Sequence, residues 1–65
     1  MKYDELAEIN RRLEEAQTDR QIHINKFEND CVSKYEKNMQ RLRIEYWADQ
    51  IFILKSRRKL LEEAL

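Results

Sequence analysis

The sequence predicts an all-α protein, with a single long helix per chain assembled by self-association into a coiled coil or helical bundle. Three observations predict it. The 65 residues include no Gly and no Pro, the residues that most often break and turn a chain. Leu, Glu, Lys, Arg, Gln and Ala, the good helix formers, dominate. One apolar line runs from Ala16 through Arg20, Ile24, Phe27, Cys31, Tyr35, Met39 and Leu42 to Tyr46, and every step is three or four residues. A fully helical chain of this length spans roughly 95 Å at 1.5 Å per residue.

Composition narrows the class further. The chain is 40% charged and 42% hydrophobic. High charge invites a disordered reading, but periodic apolar positions oppose it. A monomer of this size buries little core. Formal net charge is zero, yet the halves differ. Residues 1–30 hold five basic and eight acidic groups, and residues 31–65 hold eight and five. An antiparallel pair would bring these opposite halves together. No apolar segment follows Met1 as in a signal peptide, and no run approaches the ~20 residues of a membrane span. A single cysteine forms no disulfide framework within the chain. The expected setting is therefore intracellular and reducing, cytoplasmic or nuclear.

In chain order, Asp4, Glu5 and Glu8 put negative charge in the first turns, where the helix dipole favours it. Leu6, Ile9, Leu13 and Ala16 repeat at 3-4-3 spacing, a short coiled-coil seam. Glu8 and Arg12 form a well-oriented i,i+4 pair. Thr18 with Gln21 fits a capping box, so a second helix has a candidate start there. From Asn25 to Ser33 the chain is poor in helix formers, with a summed deficit of roughly 3–4 kcal/mol relative to alanine. If the chain turns back, Asn29-Asp30 is the better place, with Asp30 as N-cap. The unbroken apolar phase favours one continuous helix over a hairpin. Its steps average about 3.75 residues, longer than the 3.5 of strict heptads, and Leu13, Ile24, Tyr35 and Tyr46 recur every eleven. That period predicts a straight or gently right-handed supercoil.

The densest apolar run is residues 44–54, with the only tryptophan. At about 100° per residue it presents two lines roughly 130° apart. One holds Ile44, Trp47, Ile51 and Leu54 and continues to Leu61 and Leu65. The other holds Leu42, Tyr46, Ile53, Leu60 and Ala64, and Phe52 falls on neither. Two lines predict more than one partner helix, since a two-stranded coiled coil needs one seam. Trp47, Ile51, Phe52 and Leu54 are the expected hot spots of association. Pairing residues whose numbers sum to 66 sets Leu6 against Leu60, Leu13 against Ile53, Arg20 against Tyr46, Ile24 against Leu42, Phe27 against Met39 and Cys31 against Tyr35 in an antiparallel dimer. That dimer consumes one line and leaves the Ile44–Leu61 line for tetramerisation or a partner helix.

Sites for chemistry are sparse. His23 and Cys31 are eight residues apart, so one helix cannot bring both to a metal, and the residue three before His23 is Arg20, not Glu. Cys31 sits beside Phe27 and Tyr35 on the ladder and reads as a packed thiol rather than a nucleophile. Without glycine there is no phosphate-cradling loop. Neither an enzyme nor a cofactor is expected. Lys55, Arg57, Arg58 and Lys59 are candidate phosphate contacts, but Glu62-Glu63 follow at once, and nucleic acid is not the favoured partner. Glu45 and Asp49 interleave the aromatics, which argues against base stacking.

The whole chain thus reads as a non-enzymatic coiled-coil oligomerisation segment, an excised piece of a longer protein. Its expected partners are itself, as dimer or tetramer, and another helical segment. The alternative is a helical-hairpin bundle that binds nucleic acid through its C-terminal basic cluster.

Overall fold

A computed structural model describes residues 2–30 and 32–64. The chain is all-helical, as the composition requires, but it is not one continuous helix. Helix α1 spans Lys2–Asn29 and helix α2 spans Lys34–Ala64, and they pack side by side as a hairpin. The principal extents are 48 × 14 × 12 Å, half the length of the straight helix that apolar continuity favoured.

The break falls where helix propensity is weakest, and local chemistry fixes it. Asp30 N–H still donates to Lys26 O at 2.9 Å, so α1 finishes its ladder normally. The next helix is then opened by Ser33, not by Asp30. Glu36 N–H donates to Ser33 Oγ at 3.1 Å, and the Glu36 carboxylate accepts from Val32 N–H at 3.1 Å. Serine followed three residues later by glutamate is a capping box, here reaching one residue further back than the usual reciprocal bond. The predicted Thr18–Gln21 box is not a cap. Both residues lie inside α1, and Gln21 Nε2 donates to Asn25 Oδ1 at 3.0 Å instead. The apolar phase misled because the break is about one turn long. A four-residue step crosses it whether or not the chain stays helical.

The hairpin is held along one seam. Ile9, Leu13 and Ala16 of α1 and Leu54 of α2 are buried, with Trp47, Ile51 and Leu61 packed against them. A hydrogen bond crosses near the turn, between His23 Nδ1 and Gln40 Oε1 at 2.7 Å. Another crosses near the open end, from Arg58 to Asn10 Oδ1 at 3.4 Å. On the exposed side of α1, Arg11 joins Glu8 and Glu15 at 2.6 Å each, and Arg12 joins Glu8 at 3.0 Å. The hairpin sets the two oppositely charged halves side by side within one chain, while the ion pairs found among the described residues each lie within a single helix.

Candidate interaction surface

The two apolar lines of α2 have different fates. Leu54 is buried, Trp47, Ile51 and Leu61 are half-buried against the core it forms with α1, and Ile44 is half-buried. This is the line expected to be left over for a second partner. On the other line Leu42, Tyr46, Ile53 and Leu60 are 55%, 55%, 48% and 67% exposed, and Tyr35, one heptad before Leu42 on the same side, is 73% exposed. Within one chain Leu13 clusters with Leu54, the neighbour of Ile53. One residue of register turns a helix by about 100°, enough to exchange the inner line for the outer one.

The remaining predicted interface residues divide in the same way. Ile24, Phe27 and Met39 are half-buried near the turn, whereas Phe52 is 71% exposed on the back of α2. Cys31 and Leu65 lie outside the described residues. Of the four expected hot spots, Trp47, Ile51 and Leu54 thus belong to the hairpin's own core, and Phe52 to neither seam. Sequence reasoning missed Val32, exposed in the connection, and the Ser33–Glu36 cap. The S-x-x-E spacing was the signal for the latter.

The aromatic pair Tyr46 and Trp47 joins the two lines. Their rings meet edge-on, with centroids 5.0 Å apart and planes at 75°, a favourable aromatic geometry. Trp47 packs inward on α1, and Tyr46 carries the outer line. On the outer side of α1, Glu14, Thr18, Gln21 and Asn25 are exposed, and the large apolar side chains exposed there are Tyr3 and Ile22.

The basic cluster does not form one face. At about 100° per residue, Lys55 and Lys59 share a side, whereas Arg57 lies about 160° from both. Arg58 turns toward α1, bonding Asn10 and approaching Glu62 at 3.8 Å. Arg57 borders an open groove with Asp4, Glu5, Glu8 and Leu60, so acidic side chains stand beside it.

Among ionisable groups, Glu8 and Arg11 are perturbed together. Hydrogen bonds from Arg11 and then Arg12 hold the Glu8 carboxyl below the ordinary range, and the bond to Glu8 raises Arg11. This is an exposed network within α1. No helix among the described residues is long and apolar enough to cross a membrane. No family model, curated protein or solved structure matches the chain.

Proposed function

We propose that this helical hairpin is a non-enzymatic module for self-association and protein–protein interaction, and that its working surface is the outer line of α2. One observation carries the reading: after the hairpin has closed, Tyr35, Leu42, Tyr46, Ile53 and Leu60 remain exposed along a single side of one helix. At about 1.5 Å per residue, Tyr35 to Leu60 is an apolar line roughly 38 Å long. Contiguous exposed apolar surface marks sites of association. The core supports the same conclusion, because only four described residues are buried, and chains this small usually need oligomerisation or a covalent staple.

In this reading the hairpin replaces the straight helix as the building block of a larger coiled coil or bundle. Molar mass across a dilution series tests it, with Leu42→Asp and Ile53→Asp alongside the parent chain. Mass should rise with concentration in the parent and stay monomeric in the variants, with helicity unchanged because both positions face solvent. A parent chain that stays monomeric up to millimolar concentration would remove the proposal.

A further inference from the structure

Resting on that reading, we infer that the occupant of the outer face of α2 is the same face of a second copy, laid antiparallel, so that Asp49 meets Tyr46 of the partner subunit. Asp49 is exposed and follows Tyr46 by three residues on this line. It is the one charge set directly among Leu42, Tyr46 and Ile53. A parallel, in-register pair would place Asp49 beside its own copy. Like charges facing each other oppose association, and such rejected pairings fix orientation.

Reversing one copy removes the conflict. The line is nearly palindromic about a point between Trp47 and Ala48. Residues whose numbers sum to 95 then meet: Tyr35 with Leu60, Leu42 with Ile53, and Tyr46 with Asp49. Each large apolar side chain of the outer line acquires an apolar partner except Tyr46. Its phenol is a hydrogen-bond donor suited to a carboxylate. The symmetry is isologous, so both contacts of each kind form at once. Spacing alone would allow this for any regular ladder, so the Tyr46–Asp49 contact, a donor meeting a carboxylate on both sides of the axis, is what singles out a second copy. Formal net charge is zero, so no overall repulsion opposes the pairing.

The result is a four-helix arrangement in the order α1, α2, α2, α1, with every neighbour antiparallel. A contact about 38 Å long and 10 Å wide gives a footprint on the order of 400 Å² per chain. That is about 800 Å² in total, below the ~1,000 Å² that a stable specific interface clears, so the dimer is expected to be weak and transient, in the micromolar range or weaker.

The test uses the full chain with one spin label, placed at Lys37→Cys in a Cys31→Ser background. Lys37 is exposed, and the wheel sets it about 160° from the centre of the outer line. Because both labels point away from the interface, they are roughly 25 Å apart laterally in either orientation, and the antiparallel dimer adds an offset of about 32 Å along the helices. A distance of about 40 Å that disappears in the Leu42→Asp variant is the expected result, against about 25 Å for a parallel dimer. A dimer with the shorter label distance would overturn the orientation while leaving self-association intact. A second variant gives an independent reading. Asp49→Asn keeps an acceptor for Tyr46 and should change the dissociation constant by less than about threefold. Tightening of tenfold or more would signal relief of an Asp49–Asp49 contact and overturn the antiparallel pairing. A chain monomeric at every concentration would overturn this inference together with the reading beneath it.

Discussion

Tyr46 and Trp47 are sequence neighbours that serve opposite sides of α2, and their rings touch edge-on at 5.0 Å. The indole packs on the α1 core while the phenol ring stands on the exposed line. Folding of the hairpin and coverage of its outer face therefore meet at one dipeptide, and substitutions at these two positions should separate the processes.

Trp47→Ala is expected to destabilise the hairpin itself by about 3 kcal/mol, the lower range for losing a large aromatic from a packed site, because Trp47 is only partly buried. Denaturant unfolding at a concentration below association checks this. Phe52→Ala should leave the same midpoint nearly unchanged, since Phe52 is exposed and outside the core cluster. Equal losses at both positions would mean that Phe52 has a packing partner within the chain.

The turn depends on its cap. Ser33→Ala removes the acceptor for Glu36 N–H and should cost about 1 kcal/mol. Hydrogen exchange should accelerate first in residues 34–37, at the start of α2. An unchanged exchange rate there would show that the cap contributes nothing.

His23 and Gln40 should be coupled. With Gln40 Oε1 as acceptor, His23 Nδ1 carries the proton in their 2.7 Å bond. Replacing either residue alone leaves a part-buried polar group without its partner, at about 1–3 kcal/mol. The double change to leucine should cost less than the two single losses added together. A double-mutant cycle measures this, and strict additivity would mean that the bond carries no coupling.

Arg20 is an apparent defect on the inner line of α1. Its Nε is buried without a hydrogen-bond partner among the described residues. Arg20→Met keeps the aliphatic stem and removes the unsatisfied donor. Thermal unfolding should show a hairpin stabilised by about 1 kcal/mol. A clear loss of stability would indicate that the guanidinium group makes a favourable interaction elsewhere.

Acid should loosen the exposed side of α1. Hydrogen bonds with Arg11, then Arg12, lower the Glu8 pKa in the folded chain. The stabilisation is present above the ordinary carboxylate value and is lost as pH falls through the lower, folded value. Titration of the Glu8 side chain by NMR should show this depression. Arg11→Ala should raise the Glu8 pKa more than Arg12→Ala, and the reverse order would reassign the principal partner.

The all-helical class was legible in the sequence. Lack of glycine and proline, good helix formers and apolar residues every three or four positions act locally, and each favours helix wherever the chain is placed. The Glu8–Arg12 pair was legible for the same reason, since it spans one turn. So was the weak stretch between Asn25 and Ser33, and its S-x-x-E cap was present to be read. Only the tertiary structure decided whether that stretch continued as helix, because a modest propensity deficit is outweighed by whatever surface the turn allows to be buried. Only the tertiary structure chose between the two lines of α2 as well. Both are apolar, and periodicity ranks neither. Packing against Ile9, Leu13 and Ala16 buried the side with Trp47 and Leu54, and turned Leu42, Tyr46, Ile53 and Leu60 toward solvent. A helix's stripes follow from its sequence, but which stripe is inside depends on the shape and rotation of the helix it meets.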